Sequence, residues 1–348
     1  MTAATVKENT HLWLRHSLGE YARQREMAAI IPAELDMQLI CRWVEAHGLE
    51  GLFYRTTAAN QHLFEAVPRW HKKAMAELVA NLRALKATVQ LFSLLDNAGI
   101  EAVAMRGVVL ANRDYASPVE RSMRDVDILL LPEARKHTLH VLALAGYKPC
   151  EQLRSQDVVQ IEGVVLELHW SLLTAKRYRD CVDAEQWLQS RSTLHTQDGC
   201  LQVLSREYEL IGLILHAFIH HELTIFKQLL DIALFMVDEQ LDWAWIAEWC
   251  RQNRVSRMFA LTLRLVGSLF FLGAGAWCSC FPLEDSENRR LQAWIQPFFG
   301  QTDLANYVQL KANMLYAAET PERAFRQLIG FFSASELRDL RRRYYTKN

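Results

Sequence analysis

At Gly99 the spacing of apolar residues changes from three-and-four to two, and this switch constrains the fold more than any other feature. Upstream, Met75, Leu78, Val79, Leu82, Leu85, Val89, Phe92 and Leu95 recur at helical intervals within the run Arg69 to Ala98, predicting one long amphipathic helix. Gly99 is its expected stop. The apolar run Ile100 to Met105 then reads as a strand, GVVLANRDY as a short helix, and DVDILLL as a second strand bounded by Pro132. PEARKHTLHVLALAG predicts a helix ending at Gly146; YKPCEQLR and VVQIEG predict short strands, and VVLELHW a better one. From about Ala184 the helical stripe returns in REYELIGLILHAFIHHE, FKQLLDIALFMVDEQ, DWAWIAEWCRQN and the run over 258–272. Helix, then strand, then helix calls for helices packed on a small sheet.

The chain has 348 residues, room for about two domains at ~150 residues each. The expected fold is α+β and mostly helical, with a small mixed-sheet core at 99–183 between an N-terminal helical region at 1–98 and a C-terminal helical domain at 184–348. Hydrophobic residues at 51% and charged residues at 23% exclude a disordered or collagenous chain. Lys+Arg at 39 against Asp+Glu at 40 leaves a net charge of −1, so no global field draws the chain toward nucleic acid or an anionic membrane. Seven cysteines without a CxxC pair read as reduced thiols in a cytoplasmic protein. The first residues lack the apolar stretch of a secretory signal. Met258 to Trp277 is of bilayer length, but Arg264 lies inside it, and it is expected to be a buried helix.

Three acids interrupt otherwise apolar strands. In Asp125-Val126-Asp127-Ile128, a period of two puts both carboxylates on one face and Val126 and Ile128 on the other. In Leu166-Glu167-Leu168-His169-Trp170, Glu167 and His169 likewise share a face. Neighbouring carboxylates repel, and a divalent cation relieves the repulsion; oxygen ligands suit Mg²⁺ or Mn²⁺. A third carboxylate from a neighbouring strand completes a site for in-line displacement at phosphorus. The turn Met105-Arg106-Gly107 lies between a strand and a helix, where backbone N–H groups and Arg106 can meet an anion.

The ordered set LLDNAGIEAVAMRGVVLANRDYASPVERSMRDVDILLL, then Glu167-Leu168-His169-Trp170, then LILHAFIHHELTIFKQLLDIALFM and LDWAWIAEWCRQN resembles the bacterial uncharacterised nucleotidyltransferase family of the DNA polymerase β-like superfamily. The resemblance runs from about residue 30 to 270. It implies a nucleotidyltransferase core that moves a nucleoside monophosphate from a nucleoside triphosphate to an acceptor and releases pyrophosphate. It also implies Asp125, Asp127 and Glu167 as metal-binding catalytic carboxylates, with Arg106, Gly107 and Arg121 around the nucleotide; His169, on the Glu167 face, is expected to touch phosphate or that third carboxylate. The acceptor, whether protein, RNA end or small molecule, is left open. Two departures stand out. Gly107 is followed by Val108, where the superfamily usually has a serine hydroxyl. Arg106 occupies a lysine position, exchanging a point donor for a fork. The first departure motivates an alternative, a nucleotide-binding or regulatory protein that performs no chemistry.

His216 and His220, four residues apart with His221 and Glu222 beside them, suggest a zinc hydrolase only loosely, because the glutamate between the histidines of HExxH is missing. They are expected to pack or hydrogen-bond, and Asp231 to be a paired buried acid. Gly273 and Gly275 read as a helix stop. Ser333-Ala334-Ser335-Glu336 reads as a capping box ahead of Arg338, Arg341, Arg342 and Arg343.

Overall fold

A computed structural model describes residues 2–27, 31–57, 67–153, 155–173, 178, 181–282, 291, 294–299 and 304–331. The capping box at 333–336 and the arginines after it lie outside these residues. Contacts divide the chain into two units: Met1–Thr174 with Val182–Leu213, and Ala175–Cys181 with Ile214–Asn348.

The first unit opens with helices α1 (Ala3–Gln24), α2 (Met37–His47), α3 (Glu50–Thr57) and α4 (Val67–Asn97). α2 is capped by Asp36, whose carboxylate accepts the Leu39 N–H, and it ends at Gly48 with φ 66°. Gly99 turns α4 into β1 (Ala102–Met105) with φ 66°. Then come α5 (Gly107–Arg113), β2 (Val126–Leu130), α6 (Arg135–Leu144), β3 (Pro149–Gln152), β4 (Gln156–Ile161), β5 (Val164–His169), α7 (Ala184–Gln189), β6 (Ser192–Thr196) and β7 (Gly199–Val203). The protein is mostly helical around one mixed seven-stranded sheet of order β3-β4-β5-β2-β1-β7-β6. β1–β2 is antiparallel, whereas β2–β5 and β1–β7 are parallel.

Period-two alternation sorts the central strands into two faces. Ala102, Ala104, Val126, Ile128, Leu130, Leu166 and Leu168 form one face and pack with Leu85, Leu91, Phe92 and Leu95 of α4, Val108 and Val109 of α5, and Leu142 of α6. Each fully buried aliphatic side chain contributes roughly 1.5–3 kcal/mol, so this layer fixes the register of the strands. By length and composition Pro68–Asn97 could cross a membrane, but its apolar stripe is the part packed on the sheet. Because β2 is held by that layer, Asp127 necessarily lies on the opposite face, in register with Met105 on one side and Glu167 on the other.

The hairpin β6–β7 falls in a stretch whose pattern had read as helical. Gln197 and Asp198 form its two-residue turn, with Thr196 pairing Gly199, whose φ is 145°. Its alternation spans only five residues per strand and is half exposed, too short and too polar to stand out.

The second unit is helical. α8 (Arg206–Ile219) begins in the first unit and ends in the second, followed by α9 (Phe226–Met236), α10 (Trp243–Gln252), α11 (Ser256–Leu269), α12 (Ala276–Cys280), α13 (Leu304–Tyr316) and α14 (Pro321–Phe331). Met258 to Trp277 is therefore two helices with a break, not one span; Phe271 and Gly273 take positive φ within the break, and α11 is largely buried. Arg323 of α14 donates to the carbonyls of Asn253 (3.0 Å) and Arg254 (2.7 Å) and to Cys181 Sγ (2.9 Å), with its guanidinium over the Tyr178 ring.

Candidate functional site

β2 and β5 run side by side so that Asp127 pairs with Glu167 and Leu129 with His169. Side chains at paired positions of a sheet project to the same side, which sets the two acids and the histidine together. One ligand atom from each of Asp127, Glu167 and His169 lies within 4.8 Å of the others, and this is the only such trio of His, Cys, Asp or Glu among the described residues. His169 Nε2 donates to Asp127 Oδ1 at 2.8 Å and lies 3.4 Å from Glu167 Oε2. Arg106 Nη1 donates to the same Oδ1, also at 2.8 Å. Asp127 is nearly buried, whereas the Glu167 side chain keeps 25% of its surface exposed.

Asp125 precedes β2 and stands close enough to feel both other acids. Burial first, then repulsion from Asp127 and Glu167, pushes its carboxyl above the ordinary value, against the pull of Arg106 and His169. Burial disfavours a charged His169, but its hydrogen bonds to Asp127 and Glu167 prevail and raise the imidazole pKa. The site is thus a concentration of negative charge neutralised from within by one guanidinium and one imidazole. Two carboxylates with a third beside them and an imidazole form a donor set that fits a divalent cation such as Mg²⁺ or Mn²⁺.

Arg106 joins β1 to α5 with φ 56° and ψ −123°, a conformation that suits glycine and costs a larger residue about 1–3 kcal/mol. Gly107 is closely packed: a Cβ there would approach Met123 Cβ to 3.2 Å, on the segment leading to Asp125. Val108, fully buried, offers the turn no hydroxyl. Arg121 is buried in that same leading segment, Nη1 donating to the Ser122 carbonyl at 2.5 Å. Its own carbonyl accepts from Asn81 Nδ2 of α4 at 2.9 Å. Upstream, Glu120 accepts the Tyr21 hydroxyl at 2.6 Å and the Ser117 N–H at 3.2 Å.

Several supporting residues were missed by the sequence reading. Trp170 Nε1 donates to Asp157 Oδ2 at 3.0 Å, and Arg135 grips Asp157 with Nε (2.8 Å) and Nη2 (2.6 Å), which ties the end of β5 to β4 and α6. Asp157 is fully buried, and the signal was its place in the alternating run Gln156 to Ile161. Glu209, an acid within the apolar stripe of α8, accepts the Arg106 N–H at 2.8 Å. In the second unit His221 Nε2 and His216 Nε2 are 3.1 Å apart, with the His220 ring 5.2 Å from that of His216. Among the described residues no third His, Cys, Asp or Glu completes a trio with them. Asp231 is buried on α9.

A strand-borne acidic cluster beside a strand–turn–helix arginine is a site able to hold a divalent cation and a phosphorylated ligand. The sequence model of the uncharacterised nucleotidyltransferase family matches residues 33–271, more than half of the chain, and the protein belongs to that family. Nucleotidyl transfer is accordingly its general class of activity. No curated protein matches it. Among solved structures it is similar to the antibiotic-resistance factor ANT(2'')-Ia in solution, with 14% identity over 53% of this chain and 97% of that one and a TM-score of 0.37. The crystal structure of ANT(2'')-Ia with adenylyl-2''-tobramycin gives 15% identity over 47% and 92%, with a TM-score of 0.34. An antigenic nucleotidyltransferase-like protein from Paracoccidioides brasiliensis gives 16% identity over 57% and 97%, with a TM-score of 0.36.

Proposed function

We propose that the protein transfers a nucleoside monophosphate from a nucleoside triphosphate to an acceptor, releases pyrophosphate, and depends on Mg²⁺ or Mn²⁺. The observation that carries this reading is the lateral pairing of Asp127 with Glu167, beside Asp125 and under His169. Asp125, Asp127 and Glu167 would hold the cation, which when bound supplies charge neutralisation to the triphosphate and lowers the pKa of an oxygen beside it. His169 would orient Asp127 and Glu167 through its shared hydrogen bonds. Arg106, released from Asp127, would take a phosphate oxygen, and Arg121 would lend positive charge from the segment before β2. Glu167, the most exposed of the hydrogen-bonded set, would accept the proton of the attacking acceptor oxygen. That oxygen forms a bond to the α-phosphorus, the bond from the α-phosphorus to the bridging oxygen breaks, and pyrophosphate leaves. Positioning and charge supply most of such a rate enhancement. The acceptor is a protein side chain, an RNA end or a small molecule, and we place the reaction in the cytoplasm.

The test incubates the protein with each of the four nucleoside triphosphates and Mg²⁺ or Mn²⁺. Pyrophosphate is assayed, and candidate acceptors are examined by mass spectrometry for an added nucleoside monophosphate. Transfer that disappears in Asp127→Asn and Glu167→Gln supports the reading. Tight triphosphate binding with no pyrophosphate over long incubation replaces it with a non-catalytic nucleotide-binding role, for which the missing hydroxyl at Val108 is the motive.

A further inference from the structure

Glu209 is 1% exposed and lies on α8 between buried Tyr208 and the fully buried pair Leu210 and Ile211. An ionised carboxylate in such surroundings is costly unless it is paired, and a leucine would fill the same place without that cost. The described bonding of Glu209 is a single contact: Oε1 accepts the backbone N–H of Arg106, and among the described residues Oε2 has no hydrogen-bond partner. The residue thus spends its hydrogen bond on one peptide, and that peptide belongs to the one non-glycine residue between β1 and α5 with positive φ. Beyond Arg106, the charges acting on Glu209 are those of Arg113 and Asp114.

We infer that Glu209 is a positioning residue for nucleotidyl transfer: by holding the Arg106 N–H it keeps the strained turn in the conformation that aims the Arg106 guanidinium at Asp127 and, in the working enzyme, at the triphosphate. Without an acceptor on α8, the Met105–Arg106 peptide can rotate toward ordinary negative φ, which swings the side chain away from the acids. The role is distinct from catalysis, because the hydrogen bond of Glu209 goes to the Arg106 peptide and not to the acidic trio. It rests on the function proposed above.

The experiment measures calorimetric affinity for Mg²⁺-tripolyphosphate and for the four Mg²⁺-nucleoside triphosphates in full-length wild type, Glu209→Gln and Glu209→Met. Gln keeps an acceptor oxygen; Met keeps the length and removes both the acceptor and the buried carboxyl group. Glu209→Met is expected to melt at or above the wild-type temperature yet bind triphosphate about tenfold more weakly, the loss that goes with one hydrogen bond. Glu209→Gln is expected to stay within about twofold of wild type. In an Arg106→Gly background, where the turn is unstrained and the guanidinium gone, Glu209→Met should cost nothing further, since the two act through one path. Equal triphosphate affinity in wild type and Glu209→Met overturns the inference, as does an undiminished loss in the Arg106→Gly background. Should Glu209→Met fail to fold, a tenfold loss in a folded Glu209→Gln would equally overturn it. A wild type that binds neither tripolyphosphate nor any triphosphate refutes the proposed function itself, and is thereby told apart from failure of the Glu209 assignment alone.

Discussion

Arg106 and His169 donate to the same oxygen, Oδ1 of Asp127, each at 2.8 Å. The acid that a divalent cation would need is thus already neutralised by two side chains from opposite neighbours in the sheet, one following β1 and one ending β5. A metal ion entering the site competes with them.

That competition gives Arg106 opposite effects on two ligands. Arg106→Ala removes a rival cation from Asp127, so Mn²⁺ alone should bind a few-fold more tightly, on the scale of about 1 kcal/mol for a partly buried ion pair. The same change should weaken triphosphate binding by about tenfold or more. Mn²⁺ titration followed by electron paramagnetic resonance, with and without triphosphate, reads both signs; two changes in the same direction refute the competition.

Asp125 makes stability depend on pH in the metal-free protein. Its carboxyl is held above 3.8 by burial and by its two acidic neighbours. A raised folded-state pKa means that the folded form binds its proton more tightly than the unfolded chain. The resulting stability is complete below pH 3.8 and is lost as pH rises through the higher folded value. Asp125→Asn should remove that loss. With chelator present it should melt higher than wild type at pH 7, the gap closing toward pH 4. A constant difference across that range contradicts the assignment.

Asp157 should matter for stability ahead of chemistry. It is fully buried and holds both Arg135 and the indole of Trp170. Asp157→Ala strands a guanidinium and an indole N–H and should cost about 3–5 kcal/mol in chemical denaturation. A loss below ~1 kcal/mol would show that the cluster is not cooperative.

Gly51 sits where α3 meets the segment before β2. A Cβ there would lie 1.9 Å from the Val119 carbonyl oxygen, a backbone atom that cannot step aside alone. Gly51→Ala should therefore destabilise the fold by about 2–4 kcal/mol. Because Val119 leads through Arg121 toward Asp125, the variant should also bind Mn²⁺ more weakly at temperatures where it remains folded.

Much of this was legible in the chain. The stripe of α4, the stop at Gly99 and the alternation around Asp127 and Glu167 are local patterns, each readable from near neighbours along the chain. The juxtaposition of β2 with β5 is not local: nothing in DVDILLL specifies VVLELHW as its parallel neighbour, so the pairing of Asp127 with Glu167 emerges only when the sheet assembles. Asp125 was placed on the strand but stands one residue before it, since β2 begins at Val126. The β6–β7 hairpin turns on Gln197-Asp198, which is not one of the strong hairpin dipeptides, and its strand alternation is diluted by exposed Thr193 and His195. Glu209 had no local signature beyond polarity in an apolar stripe. Its purpose depends on a backbone N–H more than a hundred positions earlier, at Arg106, whose unusual dihedral angles leave no mark in composition.

The order of strands also bears on how the molecule is made. β1 pairs with β2 soon after it in the chain and with β7 only at Ala104–Val203. Contacts so distant along the chain form slowly, since a long loop must close first. As the polypeptide leaves the ribosome, β2 can find β5 and bring the two acids together while β1 still lacks one of its flanks. The hairpin arrives last on the β1 side, so a nascent chain truncated before residue 199 would carry the acidic pair on a sheet whose β1 edge is unpaired.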